Sequence, residues 1–211
     1  MTADASNAAY LGASSSLVAF LPGLSVQARE DIQDVLLDAQ LFADRLNDFD
    51  TQWSNWMHYY RRRLSSRGLC QTGLVVGDSM VVSSIDDLLE ASFKIAGSTG
   101  RQPLGGMVQR AFGALGIREA VESYFQHGID QGRLGSFQIV PCEHYDSNRV
   151  LMVLCSLRLT VDERSAGGRR LLFFFKGGSY LFDLHAYGAC RDDVKRYLNG
   201  KAQSLIRELV I

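Results

Sequence analysis

The sequence has no charge excess of either sign. Its 22 lysines and arginines balance 23 aspartates and glutamates, which leaves a formal net charge of −1. Proteins dedicated to nucleic acids usually carry a basic excess, because contacts with phosphates supply most of their affinity. The charge balance therefore argues against a nucleic-acid partner. The tri-arginine run at 61–63 could form a local basic patch, but we favour the end of a helix, where cations complement the helix dipole.

Long apolar runs and a secretory leader are also lacking. The longest strongly apolar run, 171–175, is far shorter than the roughly 20 residues that a membrane-spanning helix needs. The first residues carry no lysine or arginine, and the apolar stretch 17–24 is broken by Pro22-Gly23, unlike a signal peptide. We therefore expect a cytoplasmic protein as synthesised, with any export following a non-classical route that the sequence does not encode.

Cysteine is sparse and irregularly spaced. The four cysteines form no CxxC pair, so the sequence indicates neither a disulfide framework nor a typical zinc site. The glycine-rich segments match neither a P-loop nor a dinucleotide-binding motif, and GxSxG and HExxH do not occur. No cofactor is predicted, and the missing catalytic constellation favours a non-enzymatic role.

What is present is an ordinary globular composition, with 46% hydrophobic and 21% charged residues. A chain of this length buries roughly 70% of its unfolded surface, enough for a core without disulfides or metal. Helical periodicity comes first and strand-like runs follow, so we expect a single α+β domain over 1–211. Its parts are a mainly helical layer over 1–130, an antiparallel sheet over 131–182 and a closing helix over 183–211.

Helical periodicity is clear in the first part of the chain. Ser25 fits an N-cap, and apolar residues then recur at three- and four-residue steps as far as Leu46. Trp53, Trp56 and Tyr60 begin a second apolar helix face. The short connection between the two helices predicts an antiparallel helical hairpin.

Residues 69–84 predict a strand, or a hairpin that turns at Gly77-Asp78. Ser84 and the acid three residues later have the spacing of a capping box that opens a helix. Residues 96–106 are dense in helix breakers and are predicted to form a loop.

The second half favours an antiparallel meander. Residues 136–145 and 150–161 are rich in β-branched and apolar residues and are joined by DSNR, a turn composition. A strand at 169–176 follows, and GGS is expected to turn the chain into a short YLF strand. Asp183 fits the N-cap of a helix that reaches residue 198, and residues 202–209 are expected to continue as a short helix.

The segment PCEHYD carries the densest set of reactive side chains. The DSNR turn predicts a register in which His144 faces Leu151 and Cys142 faces Val153. Cys155 then lies diagonal to Cys142 on one apolar face, which is typical of buried structural thiols. We therefore interpret the segment as a strand and a turn.

Two chemical alternatives stay open for the same residues. A nucleophilic Cys142–His144 pair is one, although neighbours at i and i+2 of a strand stand about 6.5–7 Å apart at Cα, and no third, orienting group is evident. Zinc bound by Cys142, His144, His185 and Cys190 is the other, without the usual paired spacing. A pocket of these four residues at the sheet edge is the alternative functional site.

Apolar surface is the remaining candidate. The three successive phenylalanines at 173–175 cannot all point to one face of a strand. Either helices cover both faces of the sheet, which we favour, or one face meets lipid or a partner. The tryptophan–tyrosine face of the second helix presents the same choice. The candidate surface for membrane lipid or a protein partner is Phe173, Phe174, Phe175, Trp53, Trp56 and Tyr60.

The segment 39–69, together with GSFQIV, LLFFFKGGSYLF and the ending KAQSLIRELVI, resembles a set of small bacterial proteins with a helix-then-sheet order. The shared motifs are packing residues, so the resemblance implies a fold and no chemistry. In architecture, helical hairpins followed by an antiparallel sheet are similar to the cytolytic delta-endotoxin group and related bacterial virulence factors. That resemblance implies lipid binding and membrane damage, and it carries over no functional residue.

Three functions follow as hypotheses. The first is a non-enzymatic bacterial protein that associates with a membrane or protein surface, with a toxin-like role as one form of it. The second is a small enzyme or ligand-binding domain that uses the cysteine–histidine pocket. The third is a structural subunit of a homo- or hetero-oligomer, with the aromatic helix or the sheet face as its interface.

Overall fold

A seven-stranded sheet with helices on both of its faces organises the chain. The structure, a computed structural model, describes residues 6–12, 15–88, 90, 102–128, 134–162 and 169–211. Its mixed helix and strand content confirms the predicted α+β class.

Strands from both ends of the chain meet in the sheet. They are β1 Ala8–Leu11, β2 Ser16–Phe20, β3 Leu69–Val82, β4 Ser136–His144, β5 Arg149–Val161, β6 Leu171–Asp183 and β7 Ile206–Leu209. Their order across the sheet is β3-β6-β5-β4-β2-β1-β7. Neighbouring strands run antiparallel except β2 and β4, which are parallel.

Helices cover the two faces. They are α1 Val26–Asp44, α2 Trp53–Ser66, α3 Gln102–Ala114, α4 Ile117–His127, α5 Leu184–Gly188, α6 Arg191–Leu198 and α7 Ala202–Leu205. One core lies between the sheet and α1, α2, α5 and α6, and it contains Ile32, Trp56 and Val194. The other core lies beneath α3 and α4 and contains Met107 and Val121. The favoured interpretation, a sheet covered on both faces, matches this arrangement.

Strands that the sequence did not predict lie at both ends of the chain. β1 and β2 lie within the segment 1–130 that was expected to be mainly helical, whereas β3 is the strand expected at 69–84. All five residues of β2 are buried, and so short an apolar run has no period that separates a central strand from a helix. Residues 206–209 form β7 rather than helix, because they pair with β1. The side chain of Asn7 fixes this end by bonding the backbone N and O of Ile211 at 2.9 and 3.1 Å.

The predicted register between β4 and β5 is also wrong, by one residue. His144 pairs with Val150, Cys142 with Met152 and Ile139 with Cys155. The cause is the length of the turn: the backbone N of Tyr145 bonds the carbonyl of Arg149, so three residues form the loop instead of four. A shift of one residue moves a side chain to the opposite face. Cys142 and Cys155 therefore lie on opposite faces of the sheet.

One strand is longer than predicted, and another follows the first of its two predicted forms. β6 continues through Gly177-Gly178. A Cβ at Gly177 would overlap the carbonyl oxygen of Leu154 in β5, so a glycine is needed for the two strands to lie this close together. The pair serves close strand approach and not a turn. β3 is one continuous strand with a bulge between Val75 and Asp78, and not a hairpin.

The helix N-caps predicted at Ser25 and Asp183 are confirmed. Ser25 Oγ accepts from Ala28 N at 3.2 Å, and Asp183 accepts from the backbone at 2.9 Å to begin α5. The predicted helix to residue 198 is interrupted between α5 and α6. Ser84 caps a helical turn at 85–88. Of the predicted loop 96–106, residues 96–101 lie outside the described residues, and 102–106 begin α3 instead.

Candidate functional site

The residues of the predicted cysteine–histidine pocket lie in different surroundings. Cys142 is completely buried in β4, and Cys190 is half-buried next to α6. His144 and His185 are exposed. The part of the chain that the structure describes contains no group of three or more His, Cys, Asp or Glu side chains that could hold a metal ion. The structure therefore gives the zinc alternative no support.

The surroundings of the thiols also disfavour nucleophilic chemistry. Cys142 Sγ donates to the Val140 carbonyl at 3.5 Å, and burial raises the pKa of this thiol far above its usual range. Cys190 Sγ donates to the Arg67 carbonyl at 3.5 Å, and burial raises its pKa as well. A nucleophilic cysteine needs a lowered pKa and a base within reach. The raised pKa values favour the protonated form of both thiols, which is the less nucleophilic one.

The aromatic candidates lie mostly inside the molecule. Trp56, Tyr60 and Phe173 are completely buried, and Trp53 and Phe175 are nearly so. The alternation of β6 sends Phe173 and Phe175 into the core beneath α3 and α4, whereas Phe174 is half-buried on the opposite face. These rings meet lipid or a partner only if the helices leave the sheet.

The exposed side of α2 forms a basic groove of about 300 Å³ with the start of β3. We call it the basic groove; its lining residues are His58, Arg61, Arg62, Ser65 and Gln71. The first four recur at i, i+3, i+4 and i+7 and thus share one side of the helix. The opposite side of α2 is buried. None of the five lining residues is acidic, so no lining side chain neutralises the positive charges of the groove.

Arg61 is held in place by neutral partners. Its Nε donates to the Tyr180 hydroxyl at 2.9 Å, and its Nη2 donates to Gln71 Oε1 at 2.7 Å. The charge of Arg61 is therefore fixed in position without being neutralised by a carboxylate among the described residues. Arg62 is exposed and makes no ion pair within the same part of the chain.

The other two arginines at this end of α2 are neutralised. Arg63 makes two hydrogen bonds of 2.8 Å to Asp38, and Arg67 adds two longer ones of 3.2 and 3.4 Å. Asp38 is completely buried in α1. Arg63 and Arg67 thus form a structural pair on the α1 side, whereas Arg61 and Arg62 in the basic groove have no carboxylate partner among the described residues.

A second groove of about 310 Å³ lies elsewhere along α1. It is lined by Leu41, Asp44, Arg45, Tyr197 and Lys201. The Trp56 indole N–H donates to the Asp44 carboxylate at 2.6 Å. Because a carboxylate lines this groove beside the two cations, its net positive charge is lower than that of the basic groove.

A row of polar side chains crosses the sheet beneath α2. Ser16, Gln138, Ser156 and Lys176 pair in successive registers on β2, β4, β5 and β6. Ser156 accepts a hydrogen bond of 2.7 Å from the Trp53 indole. Two buried hydroxyl oxygens near this row, Ser16 Oγ and Ser136 Oγ, have no hydrogen-bond partner among the described residues.

The third polar cluster joins α1 to the C-terminal helices. Asp31 is buried and receives two hydrogen bonds, of 2.8 and 2.7 Å, from Arg191. One turn further along α1, burial raises the pKa of Asp34 to about 6, with Lys195 opposing the rise and Asp31 and Glu30 adding to it. The hydrogen bonds between Arg191 and Asp31 attach α6 to α1, so this cluster has a structural role.

Comparisons with known proteins supply no identity. Neither the models of protein families nor the curated proteins give a match to this chain. Within the described residues, no helix combines the length and the apolar character needed to cross a bilayer.

The sequence showed the arginines of the basic groove but not their significance. Nothing in the sequence indicates that Asp38 binds Arg63 while Arg61 and Arg62 have no carboxylate partner in the part of the chain that the structure describes. A helical plot of α2 does place His58 and Ser65 on the side of Arg61. That spacing was the available signal.

Proposed function

We propose that the protein acts by binding and not by catalysis, associating with the surface of a negatively charged membrane through the basic groove. The observation that carries this proposal is the composition of the groove: two arginines and a histidine, with no acidic side chain among its lining residues. The enzyme hypothesis has weaker support, because the thiol of Cys142 is buried and held protonated.

The proposal also includes the packing expected from the sequence, a helical hairpin on an antiparallel sheet. We infer that α1 and α2 act as a helical hairpin packed over the antiparallel part of the sheet, with the C-terminal helices closing the same side. Such an arrangement keeps the apolar side of α2 on the sheet and turns His58, Arg62 and Ser65 outward. The resemblance in architecture to lipid-binding bacterial toxins is consistent with a membrane partner and is part of the proposal.

The strength of the attraction follows from the number of free charges. A basic residue near an anionic surface contributes about 1 kcal/mol, so Arg61 and Arg62 together contribute about 2 kcal/mol. With a net charge of −1, the rest of the molecule adds no general attraction. Binding by charge alone is therefore weak and decreases as salt is added.

Insertion into the bilayer is not expected in this mode. The large exposed hydrophobic side chains of the described residues are scattered, and none belongs to α2: they are Val26, Leu46, Val81, Tyr145 and Val210. We expect the protein to sediment with anionic vesicles at low salt without releasing an encapsulated dye. No sedimentation with anionic vesicles at micromolar protein would remove the proposal and leave an acidic protein surface as the partner to test.

A second candidate function is favoured by the polar row beneath α2. Each unpartnered buried polar atom costs about 1–3 kcal/mol, and water would recover that cost if α2 left the sheet. A released hairpin would present Trp53, Trp56 and Tyr60 to lipid, the toxin-like action expected from the resemblance. Dye release that accompanies vesicle binding would support this candidate in place of simple surface binding.

A further inference from the structure

We propose that the basic groove is a phosphate site that recognises the phosphate monoester of a lipid headgroup. This inference rests on the proposed function, because it names the group that the basic groove contacts on the membrane. Charge attraction from two arginines is weak, so stable association needs a directed contact that a general anionic surface does not supply.

Arg61 is prepared for such a contact. The edge of its guanidinium formed by Nε and Nη2 is occupied by the Tyr180 hydroxyl and Gln71 Oε1, at 2.9 and 2.7 Å. Nη1 has no hydrogen bond to any described residue, so it and the second proton of Nη2 form the free edge. A fixed planar fork binds two phosphate oxygens with little further loss of side-chain entropy.

The remaining donors of the groove fit the same anion. Arg62 provides a second guanidinium one residue along the helix, and Ser65 and His58 lie one turn to either side. Together these side chains offer more donors than the two oxygens of a carboxylate can accept. A phosphate monoester presents three terminal oxygens and a charge between about −1.5 and −2. The diester of an ordinary phospholipid has a single charge and two free oxygens.

The surroundings of the groove strengthen the choice of ligand. Arg63 and Arg67 are occupied by Asp38, so they do not spread the positive charge along α2. The groove volume of about 300 Å³ leaves room for the atoms adjoining a phosphate as well as for the phosphate itself. The second groove on α1 contains Asp44, which would repel an anion.

The test compares vesicles that contain phosphatidic acid, a monoester, with vesicles that contain phosphatidylglycerol, a diester, at matched surface charge. We expect about tenfold tighter binding to the phosphatidic acid vesicles, the size of one strong charge-assisted contact. Arg61→Lys keeps the charge and loses the fork, so this preference should disappear. Arg62→Lys, at an exposed position without described contacts, should reduce it without affecting folding. Arg118→Lys, on the surface of α4, should retain it.

Equal binding to the two kinds of vesicle would overturn the inference while leaving the proposed function standing. A titration with inorganic phosphate, monitored by the Nε–H resonance of Arg61 in NMR spectra, provides the second arm. A resonance shift with phosphate but not with sulfate at equal ionic strength, together with preference for phosphatidic acid, supports the lipid phosphate site. The same shift without binding to any vesicle would overturn both the lipid ligand and the proposed function.

Discussion

Arg63 Nε lies 2.8 Å from the carboxylate of Asp38, and that carboxylate is completely buried between α1 and α2. The guanidinium also lies 4.9 Å from the ring centroids of Phe42 and Tyr197, so Arg63 is fixed on several sides. This pair aligns the two helices, and it removes Arg63 from the positive charge available to a ligand. This contact therefore distinguishes Arg63, which is neutralised, from Arg61 and Arg62, which line the basic groove.

Removal of the buried carboxylate should therefore be costly. We expect Asp38→Ala to lower the free energy of unfolding by about 3–5 kcal/mol, because Arg63 and Arg67 lose their shared partner. Urea denaturation measures this difference. Asp193→Ala breaks an exposed pair with Arg196 and should cost less than about 1 kcal/mol. Similar losses for the two variants would contradict the structural role of Asp38.

The close approach of β5 and β6 predicts a second large effect. A Cβ at Gly177 would overlap the Leu154 carbonyl, so Gly177→Ala should lower stability by more than about 4 kcal/mol or prevent folding. Gly113 in α3 has open space around it, and Gly113→Ala should raise stability by up to about 1 kcal/mol. Thermal unfolding compares the two variants. A well-folded Gly177→Ala protein would show that the chain forms a turn at this position and that β6 does not continue through it.

Asp34 makes stability depend on pH in a defined direction. Its pKa is about 6 in the folded protein and near 3.8 when unperturbed, so the folded state binds the proton more tightly. The resulting stabilisation is present below about pH 4 and is lost as the pH rises to about 6. As the pH rises through this window, the free energy of unfolding of Asp34→Asn should increase relative to that of the wild type. We expect a difference of only about 1 kcal/mol, because Asp34 is half exposed to water. A stability difference that stays constant from pH 4 to 7 would contradict the assignment.

The cysteines should react with a thiol reagent in three classes. Cys70 is exposed and should be modified first, with the half-buried Cys190 following more slowly. Cys142 and Cys155 should react only after unfolding, since both are buried and burial raises the pKa of Cys155 to about 12. Mass spectrometry of timed samples identifies the sites. Fast modification of Cys142 in the folded protein would contradict its burial and support the enzyme hypothesis.

The features predicted correctly from sequence depend on near neighbours along the chain. The Ser25 and Asp183 caps each involve residues two or three positions away, and α2 shows its buried side as a repeating pattern. The α+β class follows from such patterns. β2 and β7 were missed because what makes them strands is pairing with residues far away in sequence, which no local period encodes.

The candidate site was predicted less well for a related reason. The register of β4 depends on whether Arg149 belongs to the turn or to the strand, and one residue decides which face Cys142 occupies. The basic groove depends on Asp38 reaching Arg63 from another helix and on Tyr180 reaching Arg61 from β6. Composition showed the arginines, but only the packing shows which of them are neutralised.

The central claim, that the basic groove binds an anionic membrane surface, is tested most directly with two charge-matched double variants. Arg61→Gln/Arg62→Gln removes two charges from the groove, and Arg118→Gln/Arg196→Gln removes two from exposed ion pairs elsewhere. The measurement is the affinity for phosphatidylglycerol vesicles at low salt. The account predicts roughly 30-fold weaker binding for the groove variant and near wild-type binding for the control. Equal affinities of the two variants would contradict it.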